Sequence, residues 1–343
     1  MNLSAIKEFK KRPEADEIRL ALNTEADLQL MQEARLAGVF ELLDREYRSA
    51  EEIGITEKLI NKRLAVLLDA LCAAGFCEKS ENKYRLSEKS AVFLRSESRF
   101  YYGDNLNRRV SDDIIKNSQG LSNWLHGISE KKLHEPEKIF DASFLKAMAQ
   151  KVVLDGSVYE TAELLSKLPW FTGIKTLLDL GGGHGLFAIA LKKLLPQLSA
   201  QVFDLPQNEG TEKEYAALWG ENVEFVSGNF YSDPLPKNYD MILCCDIMYP
   251  VSTEKKTLVF TKVYEALNIG GHLCWKLMYL NEDRISPCGA AGFMLNLCRG
   301  NDEVQFLSIS QACGMLEGIG FVIEDILTVE DNYSWKIISA VKK

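Results

Sequence analysis

Apolar residues fall into two textures along this chain, and the change between them is the first guide to its architecture. From Glu25 to about Arg99 the spacing is helical. Leu28, Leu30, Met31, Ala34, Leu36 and Val39 lead into Phe40, Leu42 and Leu43, and Leu64, Leu67, Leu68, Leu71 and Cys72 form a second stripe. Gly75 closes that stripe. Phe76-Cys77-Glu78-Lys79 follows, then a polar turn at Ser80 to Lys83, then Tyr84-Arg85-Leu86. A helix that ends near a glycine and runs into a short hairpin predicts a winged-helix-like module. The helical texture resumes from about Phe100 to Leu168, with Phe144, Met148, Val152 and Val153 along one face, and breaks at Pro169-Trp170-Phe171-Thr172-Gly173.

Beyond that break the apolar runs shorten and alternate with helical stretches. Strands are expected at Thr176–Leu180, Ala200–Phe203, Val223–Val226, Met241–Cys245, His272–Met278, Phe321–Leu327 and Trp335–Val341. Helices are expected between most of them, notably Leu186–Leu195, Lys255–Leu267 and Ser308–Gly318. The alternation predicts an α/β fold: a Rossmann-like, mostly parallel seven-stranded sheet with helices on both faces, preceded by the helical winged-helix-like domain. The expected division is 1–100, a helical linker over 101–168 and the sheet domain over 169–343.

Composition narrows the partners. At 343 residues, with 46% hydrophobic and 26% charged residues, the chain has the make-up of a soluble protein of two ordinary domains. A formal charge of −9 argues against general affinity for nucleic acid or anionic membrane. A winged helix invites a DNA-binding reading, that of a ligand-sensing regulator. Yet Glu57 to Leu71 carries only Lys58, Lys62 and Arg63 against Glu57 and Asp69, so a dimerisation or lid element is preferred. No secretory signal or membrane span is legible, and the eight cysteines include no CxxC pair. The expectation is a cytoplasmic chain with free thiols and no metal site.

Candidate chemistry clusters at the carboxyl ends of successive strands. Thr176-Leu177-Leu178-Asp179-Leu180 runs into Gly181-Gly182-Gly183-His184-Gly185 and then an apolar helix, the usual cradle for a nucleotide-like ligand. Asp204 closes the next strand at the distance from the loop where a carboxylate takes ribose hydroxyls. That spacing equally allows a dinucleotide. Ser227-Gly228-Asn229-Phe230 closes the strand after it, where an amide and an aromatic edge suit an adenine.

The combination Asp179-Leu180-Gly181-Gly182-Gly183-His184-Gly185, Phe203-Asp204-Leu205-Pro206 and Gly228-Asn229-Phe230 resembles the small-molecule O-methyltransferases, the caffeate and hydroxyindole type. The likeness continues through Ala266-Leu267-Asn268-Ile269-Gly270-Gly271 and Gly320-Phe321 and back into the N-terminal domain. It implies S-adenosylmethionine as cofactor, a small aromatic or heteroaromatic acceptor and a homodimer through the N-terminal domain. It implies that Gly181 meets the amino-acid end of the cofactor, Asp204 the ribose, and Asn229 and Phe230 the adenine, with Asp179, Gly183, Leu205 and Cys245 in the same set. By the same resemblance Phe144, Met148, Phe293, Met294 and Asn296 fall on acceptor-lining segments.

The chain departs from the family where the chemistry is done. Tyr249-Pro250-Val251 stands where the resemblance places a His-Asp-Trp segment carrying the general base. Glu303 aligns with a family glutamate, while the family's other acidic partner is replaced by Leu277. Tyr249, Glu303 and Asp246, three positions before the tyrosine, are therefore the candidate catalytic residues. A hydroxyl acceptor is expected first. Carbon, nitrogen or sulfur acceptors, a tetrapyrrole carbon among them, stand as the alternative because they do not need the histidine.

Overall fold

The computed structural model describes residues 5, 7, 15–98, 101, 120–128, 142–249, 251–300, 304, 306–329 and 335–343. They fall into two compact units, neither continuous in sequence. One comprises Met1–Ile18, His134–Tyr279 and Leu307–Lys343; the other comprises Arg19–Leu133 and Leu280–Phe306. The units therefore do not follow the expected contiguous division. Residues 280–306 belong with the N-terminal segment, because helix α11 (Cys288–Gly300) packs on helix α4 (Asn61–Ala73). Much of the expected linker belongs with the sheet: α6 (Ala142–Leu154) packs against α7 (Ser157–Ser166), and α7 against α8 (Leu186–Leu194).

In the unit that holds Arg19–Leu133, most of helix α1 (Ala15–Leu36) and helices α2 (Val39–Leu42), α3 (Ala50–Gly54), α4 and α5 (Glu88–Phe93) accompany a small sheet. Helix α4 buries Leu64, Leu67, Leu68 and Leu71 at the spacing of one helical face. It ends on Gly75, whose φ of 75° only glycine adopts without cost. The Gly75 amide donates to the Cys72 carbonyl (2.9 Å) and the Phe76 amide to that of Leu71 (2.8 Å), the paired bonds of a Schellman cap. The hairpin β2 (Cys77–Ser80) and β3 (Lys83–Leu86) follows as expected, with β1 (Arg48–Ser49) paired to β3. A capping box between Ser49 and Glu52 opens α3.

The second unit is built on a seven-stranded sheet in the order β6-β5-β4-β7-β8-β10-β9. Its strands are β4 (Thr176–Leu180), β5 (Ser199–Asp204), β6 (Glu224–Ser227), β7 (Tyr239–Cys245), β8 (Leu267–Leu277), β9 (Phe321–Thr328) and β10 (Lys336–Lys342). The first five are mutually parallel, and β10 runs antiparallel to both β8 and β9. Helix α8, α9 (Thr211–Trp219), α10 (Thr253–Ala266) and α12 (Ile309–Ile319) alternate with the strands. Central β4 and β7 are buried along nearly their whole length, as strands covered on both faces must be. The chain order reverses at β4, between β5 and β7, so the carboxyl ends of those strands flank the crevice where open α/β sheets hold ligands.

Candidate functional site

The glycine-rich loop leaves β4 and enters α8 through residues that no side chain could replace without displacement. Gly181 has φ of 69°, and a Cβ there would lie 2.8 Å from Ile247 Cγ2 and 3.4 Å from the Phe230 ring. Gly183 has φ of 43°, with Leu145 of α6 2.6 Å from the equivalent point. The loop is tied to the neighbouring strand: the Gly181 amide donates to the Phe203 carbonyl at 2.7 Å, and the Gly183 amide to Asp204 Oδ2 at 2.8 Å. His184 is buried, and its Nδ1 accepts from the Leu186 amide at 3.2 Å, capping the first turn of α8. Burial drives its pKa down to about 4, which fits a neutral cap.

Two buried carboxylates, Asp179 and Asp204, underlie this loop. Asp204 Oδ1 accepts from the Leu205 amide and from Asn208 Nδ2, both at 2.7 Å, while Oδ2 holds Gly183. Three of the roughly four lone-pair positions of the carboxylate are thus filled, which leaves one for a hydroxyl. Burial outweighs these donors and raises the Asp204 pKa. Asp179 is fully buried, and neither of its oxygens has a partner in hydrogen-bonding geometry. Burial first, and the Asp204 charge second, push its pKa up to about 7, although the Ala188 amide lies close enough to favour the ionised form.

The loop after β6 carries Asn229 and Phe230. Asn229 Oδ1 accepts from the Tyr231 amide at 2.9 Å, closing a local turn, and the Phe230 ring lies 4.5 Å from that of Tyr231. Lys262 of α10 anchors the loop from below. Its ammonium donates to the carbonyls of Phe230 (3.0 Å), Tyr231 (3.0 Å) and Asp233 (2.9 Å).

After β7 the chain turns through two non-glycine residues in left-handed conformation, Asp246 (φ 58°) and Met248 (φ 66°). Such residues cost about a kcal/mol or more each and persist only where neighbours fix them. The neighbours here are in β8. The Asp246 amide donates to the Lys276 carbonyl (3.0 Å), and the Lys276 ammonium donates to Asp246 Oδ2 (2.8 Å). Lys276 has 0% side-chain exposure, and its ammonium also lies 4.0 Å from the Trp335 ring centroid. The Tyr249 hydroxyl accepts from the Met278 amide (3.0 Å) and points to Asp246 Oδ1 at 3.4 Å. Burial, then the Asp246 charge, drive the Tyr249 pKa well above its ordinary value.

Comparison with known proteins now decides the family. The O-methyltransferase domain model matches residues 108–303, more than half of the chain. The chain belongs to the O-methyltransferase family. An uncharacterised protein of Methanocaldococcus jannaschii, MJ0086, is 31% identical over 86% of this chain and 84% of its own length. A 3-hydroxy-5-methyl-1-naphthoate 3-O-methyltransferase of Streptomyces sahachiroi is 22% identical over 77% of each chain. Among solved structures, a family 2 O-methyltransferase of Planctomyces limnophilus in complex with apigenin superposes with a TM-score of 0.75 at 20% identity, covering 98% of both chains. The human N-acetylserotonin methyltransferase in complex with S-adenosylmethionine gives 0.54 at 19% identity, over 97% of this chain and 98% of its own.

The methyltransferase binds S-adenosylmethionine, the cofactor of its family, and its own residues fit that group. Asp179 offers buried oxygens without partners, a Cβ at Gly181 or Gly183 would intrude on the cradle, and Asp204 keeps one lone pair for a hydroxyl. Of the expected cofactor residues, Asp179, Gly181, Gly183, Asp204, Leu205, Asn229, Phe230 and Cys245 all lie at the carboxyl ends of β4, β5, β6 and β7 or in the loops that follow them. Cys245 is a buried thiol, pushed well above its ordinary pKa by burial.

The expected acceptor residues divide between the units. Phe144 and Met148 are half-buried on α6, beside Leu145. Phe293, Met294 and Asn296 lie on α11 of the other unit. There Met294 is core (1% exposed), Phe293 packs edge-on to Phe306 with centroids 6.0 Å apart, and Asn296 is exposed. Glu303 and His134 lie outside the described residues; His126 is exposed, its Nδ1 2.8 Å from the Ser122 carbonyl. Among the described residues no group of three or more His, Cys, Asp or Glu is placed to hold a metal, and no helix is long and apolar enough to cross a membrane.

Sequence reasoning missed Lys276, Lys262 and Asn208. For Lys276 a signal existed: a lone cation inside the apolar run Leu273-Cys274-Trp275-Lys276-Leu277-Met278 must be paired if the strand is central. Lys262 has no such signature, since a lysine on an amphipathic helix is ordinarily solvated.

Proposed function

We propose that this methyltransferase acts on a small aromatic or heteroaromatic acceptor, at a hydroxyl acidic enough to ionise near neutral pH. The observation that carries this reading is the state of Tyr249. A general base works best with a pKa near the working pH. The Tyr249 phenol is instead buried, bonded on both sides and shifted further from neutrality. Tyr249 in this reading is a neutral wall of the site, and the acidity of the acceptor stands in for the missing base. A relative that methylates a hydroxynaphthoate oxygen supports an acceptor of this kind.

When bound, S-adenosylmethionine supplies a methyl group on a leaving sulfonium, so the protein has chiefly to orient and to exclude water. Asp204 takes the ribose through its remaining lone pair, while Gly181 and Gly183 let the backbone approach. Phe230 and Asn229 flank the adenine on the loop held by Lys262. Phe144 and Met148 on α6 face the acceptor. A homodimer through the N-terminal domain is part of the proposal, supported by exposed Leu28, Ile55 and Ile60 in that unit. So is a cytoplasmic location, supported by eight free thiols.

The test is methyl transfer from labelled S-adenosylmethionine to a panel of hydroxynaphthoates, catechols and simple phenols of graded acidity, each over a range of pH. The expected kcat/KM rises with pH and levels off at the pKa of each acceptor. A profile with one fixed ionisation, whatever the acceptor, would reveal a base on the protein and overturn the reading. Turnover only of aryl carbons, amines or thiols would favour the second reading, a C-, N- or S-methyltransferase, which the state of Tyr249 also accommodates.

A further inference from the structure

The fully buried Lys276 calls for a purpose, because the apolar side chain its position invites would avoid burying a charge. An ammonium taken out of water loses several kcal/mol of solvation, recovered only with a well-placed partner. Here that partner is Asp246 Oδ2 at 2.8 Å, with the Trp335 ring at 4.0 Å and the Phe187 ring at 5.5 Å from the ammonium. The two ends of the pair differ. Lys276 has 0% side-chain exposure, whereas Asp246 has 25%, so the pair is a dipole with its negative end toward open space. The open end belongs to the turn in which Ile247 lies 2.8 Å from where a Gly181 Cβ would be. The turn that carries the carboxylate therefore runs beside the first glycine of the cofactor loop, on a backbone whose left-handed φ at Asp246 is held by the Lys276 carbonyl.

We propose that Asp246, aimed by Lys276, is the anion that faces the sulfonium end of the cofactor and discriminates the charged S-adenosylmethionine from the neutral-sulfur S-adenosylhomocysteine. This rests on the reading of the glycine loop as the seat of the amino-acid end of the cofactor. It makes Asp246 a specificity residue and Lys276 a positioning residue acting through it. It also accounts for the strained turn: a glycine at position 246 would relieve the backbone but remove the charge.

Binding is measured by calorimetry at low ionic strength with three ligands: S-adenosylmethionine, sinefungin (an amine in place of the sulfonium) and S-adenosylhomocysteine. In Asp246→Asn, the two cations are expected to bind about tenfold more weakly relative to S-adenosylhomocysteine than in the wild type, about 1.4 kcal/mol. S-adenosylhomocysteine itself should change less than about twofold, well under 1 kcal/mol. Asp246→Asn leaves Lys276 without its carboxylate, so Asp246→Asn/Lys276→Met is measured alongside; it removes both charges and should show the same loss of preference. Equal weakening of all three ligands would mean a merely structural role and overturn the proposal, as would an unchanged ratio in either variant. Wild-type protein that bound none of the three would overturn it by removing the cofactor reading on which it rests.

Discussion

Asp179 is the group whose replacement tests the electrostatics of the site most directly, and Asp179→Asn is the substitution to make. In the folded chain this carboxyl is fully buried, without a partner in hydrogen-bonding geometry, and has a pKa of about 7. In the unfolded chain it has its ordinary value of 3.8. Between those two values the native state holds a proton that the unfolded state has released. Stability must therefore fall as pH rises through the interval, by about 1.4 kcal/mol per pH unit. Over the full interval the loss is about 4 kcal/mol; between pH 4.5 and 8 it is about 3 kcal/mol.

The amide that Asp179→Asn introduces would not titrate, so the difference in stability between the variant and the wild type should grow by that amount across the same range. A buried, unsatisfied amide costs about 1–3 kcal/mol of its own. That cost is the same at every pH and drops out of the comparison. The assay is urea unfolding of both proteins at half-unit steps from pH 4.5 to 8, without cofactor. A variant that gains on the wild type by about 3 kcal/mol as pH rises supports the argument. A difference that stays flat, or one that shrinks with rising pH, would refute it and mean that Asp179 is ionised and paired.

Other consequences are open to single measurements. Gly181→Ala places a methyl 2.8 Å from Ile247 on a backbone at φ 69°, and should weaken S-adenosylhomocysteine binding by more than about tenfold, or 1.4 kcal/mol, in calorimetry. Lys262→Met releases the three carbonyls of the Phe230 loop and should raise the Kd for S-adenosylhomocysteine and for adenosine alike, with Lys262→Arg recovering part of the loss. Tyr249→Phe should lower kcat by less than about tenfold, because loss of a true general base costs about 100-fold or more; a larger fall would restore Tyr249 to the chemistry. Gly75→Ala, at φ 75° in the Schellman cap, should cost about 1 kcal/mol in urea unfolding while leaving cofactor affinity in place.

The sheet was legible because strands covered on both faces read as apolar runs, even where the run is shorter than the strand. Thr176–Leu180 is the clearest case, identical in expectation and structure. The strand from His272 is instructive in the other direction. The structure starts it at Leu267, through Asn268, Ile269, Gly270 and Gly271, because the pairing with β7 begins at Tyr239 opposite Leu267 and shifts register before Met241. Glycines in a polar stretch look like a turn in sequence, and only the partner strand makes them part of a ladder. The grouping of 280–306 with the N-terminal unit was hidden for a similar reason. Ala291, Met294, Leu295 and Cys298 recur at helical spacing on one buried face, but periodicity does not say which core it enters.

The site divides along the same line between local and non-local information. The placement of Gly181, Gly183 and Asp204 was readable because positive-φ backbone and position at a strand end both leave a local mark in sequence. The roles of Tyr249 and Asp246 do not. A tyrosine where a histidine is expected invites a search for something that lowers its pKa, and the nearest carboxylate in sequence, Asp246, is an obvious partner. The structure sets them together at 3.4 Å, yet the effect on acidity runs the opposite way, because burial first, and the neighbouring anion second, oppose ionisation of the phenol. The cation able to reverse this is Lys276, thirty residues on from Asp246, and it is spent on the far oxygen of that aspartate. Strand register between β7 and β8, where Cys245 stands opposite Lys276, brings that ammonium to the aspartate that follows Cys245. Burial of residue 249, together with that register, leaves this methyltransferase with a neutral phenol where the sequence led to the expectation of a histidine base.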